Sequence, residues 1–345
     1  MEDQGRRNFI KLSGLLAAST VTFPSKILSK TADHVSIKTI KPPKLAKGDT
    51  IAIAGLAGAV WDQNYVSLFT NTLTQLGFKI KVGENVRKKF GYLSGTDEDR
   101  ANELNAFFED SSVKGIFCIK GGWGSARIID LIDYELIKKN PKVFLGFSDI
   151  TSLLNSMYAK TGLVTFHGPV GYSTWNAFSI EALKNVLFTD VPTYFPTAPL
   201  QNQAFQTLKS GYAKGEMVGG NLSVICSIIG SGYLPNWENK ILFLEETNEE
   251  PYRIDRMLTT LRLTGAFDKI NGIVLGQFTH CEPENPLTSF SLIEVLKQHV
   301  NCIDVPVFIG APIGHVSFKW TIPVGLRCEM NADLGTLKML ESAVS

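Results

Sequence analysis

Gly115-Ile116-Phe117-Cys118-Ile119-Lys120-Gly121-Gly122-Trp123-Gly124-Ser125-Ala126-Arg127-Ile128-Ile129 is the stretch on which the reading of this chain turns. Its opening, Gly115 to Ile119, has the length and apolar, β-branched character of a buried strand. From Ala126 to Ile132 the pattern becomes helical. Between them Gly121, Gly122 and Gly124 supply the backbone freedom of a tight turn, and Ser125 stands at its end. Such a turn lifts a hydroxyl above the sheet edge and aims unpaired helix N–H groups at whatever it attacks. That is the logic of a nucleophile elbow, although the G-x-S-x-G spelling is missing. The competing reading is a Gly-rich phosphate cradle. No G-x-G-x-x-G is present and no Walker Lys-Ser/Thr follows, which favours the nucleophile.

Working outward, strands are expected at 50–54, 78–82, 143–147 and 163–167, alternating with helices at 65–76, 96–108 and 150–158. Thr96 to Asp99 has the form of a capping box, and Ser148 or Asp149 is read as the cap of the helix at 150–158. This alternation predicts a parallel α/β sheet covered on both faces. Sites in such sheets form beyond the carboxyl ends of the strands, where Ser125 and Asp149 fall. Residues 189–214, rich in Pro and Gln, break the periodicity and read as a linker. A second unit follows. Its strands are expected at 215–218, 241–244, 272–275 and 306–309, its helices at 222–229, 252–263 and 290–299, and its closing hairpin at 321–340. Asn221 is placed to cap the first of those helices.

The 345 residues exceed the size at which one core usually stops growing, so two domains are expected: 40–188, and 215–345 after the linker. A net charge of +1 argues against nucleic-acid and anionic-membrane binding. The cysteines number five, an odd count with no C-x-x-C, and read as core or incidental residues, not as a disulfide framework or zinc site, with a disulfide in an exported product left open. Residues 1–35 stand apart. Arg6-Arg7-Asn8-Phe9-Ile10-Lys11 fits the twin-arginine pattern, and the apolar run 12–21 is too short to span a bilayer. The segment reads as an export signal, the alternative being an ordinary amphipathic helix. Without a clean A-x-A site, an uncleaved tether is also open.

A serine hydroxyl needs a base, usually histidine, and that histidine needs an orienting carboxylate. His315, in the Gly-rich turn after a strand, is the favoured base, with His167 as competitor. His34 lies in the polar N-terminal region, His299 suits a helix end, and His280 follows a strand end. For the carboxylate, Glu245 directly follows a buried strand, where an unpartnered acid is costly. Glu246 is its rival, pointing to the opposite side, and Asp149 and Asp255 suit caps or salt bridges. His280-Cys281-Glu282 lacks a spaced fourth ligand and reads as a surface turn, not a metal site.

Taken together the motifs resemble the LD-carboxypeptidases, serine peptidases that include the microcin-immunity hydrolases. The matching pieces run from about Leu45 to the C-terminus. They are Gly91-Tyr92-Leu93-Ser94-Gly95-Thr96-Asp97 with Arg100, Gly121-Gly122-Trp123-Gly124-Ser125, Gly146-Phe147-Ser148-Asp149 and His167-Gly168-Pro169. Gly219-Gly220-Asn221-Leu222-Ser223, Phe243-Leu244-Glu245-Glu246, Tyr252-Arg253-Ile254-Asp255-Arg256 and Gly314-His315 complete the set. The resemblance implies a flavodoxin-like parallel-sheet N-terminal domain, a smaller swivelling α/β C-terminal domain and a homodimer. It implies a Ser-Glu-His triad, mapped to Ser125, Glu245 and His315, in the crevice between the domains. The backbone N–H groups of Ala126 and Gly122 are the expected oxyanion donors.

The family's usual arginine before the two glycines is Lys120 here, which keeps the charge and loses the bidentate fork. The first turn, Gly55-Leu56-Ala57-Gly58, also lacks the usual proline and serine. The expected activity is removal of the terminal D-alanine from a murein tetrapeptide through an acyl-enzyme, in an exported or periplasmic protein, without metal or other cofactor. The alternatives are hydrolysis of another amide, such as a peptide–nucleotide antibiotic, and a non-catalytic small-molecule-binding protein. Lys120, Arg127 and Lys319 are the candidates to grip the substrate carboxylate.

Overall fold

Along the chain the first strands are β1 (Thr50–Ala54), β2 (Lys79–Val82), β3 (Val113–Cys118), β4 (Val143–Gly146) and β5 (Thr165–His167) in the computed structural model, which describes residues 38–195 and 205–345. The expected segment 1–35 and part of the expected linker lie outside the described residues. Strands β1 to β5 pair in parallel in the order β5-β4-β3-β1-β2. This is the flavodoxin-like doubly wound order. The inner runs are buried on both faces, as helices above and below require: β4 has no exposed position and β1 only a half-buried first residue, whereas the edge strand β2 alternates exposed and half-buried residues.

The covering helices follow the apolar spacing. Helix α1 (Asn64–Gln75) buries Val66, Phe69 and Leu73. Helix α2 (Asp97–Glu109) starts at a complete capping box in which Thr96 and Asp99 exchange hydrogen bonds. A cap of this kind contributes about 1 kcal/mol. Helix α3 (Tyr134–Lys139) is capped by Asp133, and α4 (Thr151–Thr161) is buried along nearly its whole length. Helix α5 (Ala177–Leu187) closes the first half, with Asn176 as its cap.

The second sheet is built from β6 (Tyr194–Phe195), β7 (Gln206–Lys209), β8 (Tyr212–Asn221), β9 (Lys240–Thr247), β10 (Gly272–Thr279) and β11 (Val307–Ile309), completed below by two strands of the C-terminal hairpin. Strands β8 to β11 are parallel neighbours. The described residues of 189–214 therefore carry β6 at one edge of this sheet, β7 at the other and the start of β8. Helices α6 (Leu222–Ser227), α7 (Pro251–Leu263) and α8 (Leu292–Val300) accompany it. Asn221 caps α6 as expected, accepting from the Val224 N–H at 3.2 Å.

The last strands are β12 (Ile322–Val324), β13 (Arg327–Asn331) and β14 (Thr336–Met339). The hairpin β13–β14 joins the second sheet, whereas β12 crosses over and pairs antiparallel with β5 in the first. The described residues, 38–195 and 205–345, form one compact unit. Helix α4 is bolted to the second sheet: Asn155 Nδ2 donates to the Gly219 carbonyl at 2.9 Å, and Thr151 Oγ1 accepts from the Asn221 N–H at 3.0 Å. These bonds fix the carboxyl end of β4 relative to that of β9.

Candidate active site

Two strand ends and one loop converge here. Strand β4 ends at Gly146, and Ser148, two residues on, has a left-handed backbone with φ of 63°. A serine in that conformation is uncommon and costs energy, which marks the turn as strained. A short 3₁₀ turn, Ser148–Ile150, then runs into α4. This strand, strained serine and helix are the elbow expected at Ser125. Gly146 is needed for it: a Cβ there would come within 2.5 Å of Ile150 Cγ2.

Glu245 lies near the carboxyl end of β9, fully buried. His315 follows Gly314 in the loop after β11. That loop is cinched to β10 by Gly310 N–H to the Leu275 carbonyl at 3.0 Å and Gln277 N–H to the Ile313 carbonyl at 2.9 Å. His315 Nδ1 is 2.8 Å from Glu245 Oε2, and His315 Nε2 is 3.1 Å from Ser148 Oγ. A carboxylate only accepts, so Nδ1 carries the proton and Nε2 accepts from the Ser148 hydroxyl. Burial alone would raise the Glu245 carboxyl, but the hydrogen bond and charge of His315 bring it below the usual range. The row runs from a buried acid through a quarter-exposed imidazole to a half-buried hydroxyl, with side-chain exposures of 0% for Glu245 and 26% for His315. A hydroxyl, imidazole and carboxylate so arranged make a serine nucleophilic.

Of the residues expected in the row, Glu245 and His315 meet and Ser125 does not join them. Ser125 is fully buried. Its Oγ is 2.5 Å from the Asp149 carbonyl and 2.7 Å from Ser152 Oγ, and its N–H donates to Asp149 Oδ2 at 2.8 Å. The expected helix after it is only a 3₁₀ turn, Ser125–Ile128, so no fan of free N–H groups forms there. Ala126 accordingly follows a serine that is turned away from His315. The Gly121–Gly122 turn, by contrast, does border the nucleophile position. A Cβ on Gly121 would lie 3.0 Å from Ser148 Oγ and 3.1 Å from the Asp149 nitrogen. The Asp149 N–H and the Gly122 N–H make no hydrogen bond among the described residues.

Ser148 escapes the sequence reading because it sits where a helix cap is expected. Neither it nor Asp149 caps α4 by a side-chain bond. The signal was Gly146-Phe147-Ser148, which keeps the first half of the elbow spelling behind a buried strand, with Ile150 replacing the second glycine. Asp149 instead holds the neighbouring turn. Its burial raises its carboxyl, against the opposing Ser125 and Gly124 N–H groups and the charge of Arg100. Arg100, itself buried, donates to the Leu56 and Gly124 carbonyls at 2.8 Å each and pairs with Asp97.

The rivals are accounted for. Glu246 accepts from Asn221 Nδ2 at 2.9 Å and from the Ser223 N–H at 2.8 Å, bracing the start of α6. His299 pairs with Asp255 at 2.8 Å on the α7–α8 face. Of the three candidate carboxylate grips, Arg127 is engaged by Asp97 at 2.7 Å. Lys120 Nζ lies 4.8 Å from the Tyr172 ring centroid, and buried Lys319 lies 5.2 Å from that of Phe147. Burial pulls the Lys319 ammonium down to about 8.

Fold and site define an α/β protein of the serine-peptidase kind, and comparison gives it a family. The LD-carboxypeptidase N-terminal domain matches residues 51–168 and the LD-carboxypeptidase C-terminal domain residues 214–330. The chain is 36% identical over 307 residues to a probable murein peptide carboxypeptidase of Bacillus subtilis, covering 88% of this chain and 95% of that one. The solved wild-type apo structure of the microcin C7 self immunity protein MccF matches with a TM-score of 0.81 at 27% identity, over 89% of this chain and 100% of that one. A muramoyltetrapeptide carboxypeptidase from Oxalobacter formigenes matches with a TM-score of 0.75 at 26% identity, over 84% and 97%. The chain belongs to the LD-carboxypeptidase family and is a peptidase.

Proposed function

We propose that this peptidase removes the terminal D-alanine from murein tetrapeptides, with Ser148 as nucleophile, His315 as general base and acid, and Glu245 as the group that orients His315. The 3.1 Å approach of Ser148 Oγ to His315 Nε2 carries this reading. Ser148 attacks the scissile carbonyl as His315 takes its proton. The oxyanion is received by the Asp149 and Gly122 N–H groups. His315 then protonates the leaving D-alanine amine. Water, activated by the same imidazole, releases the shortened peptide and frees Ser148. Glu245, ionised throughout, holds the ring in the Nδ1–H tautomer and offsets its positive charge. Murein substrates are supported by the relatives from Bacillus subtilis and Oxalobacter formigenes. The likeness to the microcin immunity protein supports the second reading, hydrolysis of a peptide–nucleotide amide.

Incubation with a murein tetrapeptide followed by mass spectrometry tests the proposal. Loss of one alanine residue supports it, whereas an intact tetrapeptide alongside hydrolysis of a peptidyl nucleotide replaces it with the second reading. Export through the twin-arginine route is proposed from Arg6-Arg7-Asn8-Phe9-Ile10-Lys11 and the apolar run 12–21 that follows it. Its test is whether Arg6→Lys with Arg7→Lys retains the protein in the cytoplasm. A homodimer is proposed from the family resemblance, with sedimentation as its test.

A further inference from the structure

His167 is a titratable group beside the row that the mechanism above leaves unused. It ends β5 opposite Gly146 in the register, two residues from Ser148 along the neighbouring strand. Only 2% of its surface is exposed. Its ring stands edge-on to Phe147 at 5.8 Å and to Phe243 at 5.3 Å, between the elbow and the strand that carries Glu245. Phe147 in turn lies 4.9 Å from the His315 ring.

An imidazole in such apolar company still carries one N–H donor and one lone pair. Among the described residues neither His167 nitrogen has a hydrogen-bond partner, and Glu245 Oε1, the carboxylate oxygen not facing His315, has none either, the nearby Asn221 amide donating to Glu246 Oε1 at 2.9 Å instead. Buried polar atoms are rarely left so, least of all on an ionised carboxylate. The charged and titratable groups that act on His167 are Glu245, His315 and Lys319. Of these Glu245 is the one with an acceptor atom left without a partner, the His315 Nε2 lone pair being taken by the Ser148 hydroxyl.

We propose that His167 is a positioning residue: its N–H serves Glu245 Oε1 across one bridging water, so that the carboxylate is held on both oxygens and kept aimed at His315. The inference rests on the Ser148-His315-Glu245 reading. Burial keeps the His167 ring neutral, which preserves a donor without adding a charge that would repel the His315 imidazolium. Without that donor Glu245 is less stabilised as an anion, binds the His315 proton more strongly, and swings more freely about its bond to the ring.

The test is ¹⁵N-histidine NMR with steady-state kinetics on the intact chain. In His167→Phe the His315 titration moves to higher pH, and kcat falls about ten- to a hundredfold at little change in KM, the effect of one hydrogen bond to a charged group. His167→Gln, which retains a donor, restores much of both. Unmoved His315 titration in both variants overturns the proposal. In the unsubstituted protein, His167 shows a single protected N–H whose shift changes on Glu245→Gln; indifference to that substitution overturns it too, whether or not the Phe variant folds. The NMR readout needs no turnover, so it is separate from failure of the Ser148 assignment, which an active Ser148→Ala protein would reveal.

Discussion

Ser125 Oγ lies 2.5 Å from the carbonyl oxygen of Asp149, so the serine at the end of the glycine turn ties down the elbow on which the other serine stands. The turn after β3 and the turn after β4 are thus one assembly, sealed by the Ser125 N–H on the Asp149 carboxylate at 2.8 Å. The two serines have separable roles.

Ser148→Ala removes the nucleophile and leaves the fold untouched. Turnover falls at least about a thousandfold, the scale of losing a triad member, with an unchanged melting temperature. Ser125→Ala keeps measurable turnover but loses two buried hydrogen bonds, costing about 1–3 kcal/mol in chemical denaturation. Equal inactivation of both variants at equal stability would contradict the separation.

Gly121→Ala tests the oxyanion wall. The added Cβ would press on Ser148 Cβ at 2.8 Å as well as on its hydroxyl. The expected result is a fall in kcat of about a hundredfold, the scale of losing an oxyanion donor, with KM much less affected. Burst kinetics with an activated ester would place the loss in acylation.

Glu245→Gln puts an amide where an anion balances the imidazolium. A drop in kcat of about ten-thousandfold is expected, since Gln can present its N–H₂ and favour the wrong tautomer. Glu246→Gln, at the brace of α6, lowers stability and spares the chemistry. The pair is checked by kinetics and calorimetry on the same samples.

Acid should weaken the fold in a defined window. Burial holds the His167 imidazole down to about 4, against the pull of Glu245, while the unfolded chain takes up that proton near pH 6.5. Between those values the unfolded state binds more protons, so stability falls as pH falls from 6.5 to 4, by roughly 3 kcal/mol at most. The depressed Glu245 carboxyl acts in the same direction, its contribution being present above the unfolded glutamate range and lost below it. His167→Phe should flatten the upper part of the urea-midpoint profile. A slope unchanged between pH 6.5 and 5 would refute the assignment.

The periodicities that carried the fold were strong ones. Buried runs such as Val143–Gly146 and β9, and the Thr96 and Asn221 caps, are local signals that tertiary packing did not override. Glu245 and His315 were legible for a related reason, an acid behind an apolar strand and a histidine in a supported glycine turn. Ser148 was hidden because a serine before a helix satisfies the capping pattern equally well, and only the backbone angle tells the two apart. Residues 126–132 read as helical because Ile128, Ile129 and Ile132 are all buried, yet they pack from a 3₁₀ turn and bends. The position of β12 had no local signature, since pairing with β5 across more than 150 residues is a property of the folded chain alone.

That crossing strand also bears on how the protein is made. The outer edge of β5 finds its partner in Ile322, Pro323 and Val324, which leave the ribosome more than 150 residues after it. Until then a nascent chain carries an open sheet margin with unpaired backbone groups, the kind of surface that recruits chaperones or pairs with a neighbour. A polypeptide cut short before Ile322 would keep Ser148 and His315 and still be a substrate for quality control.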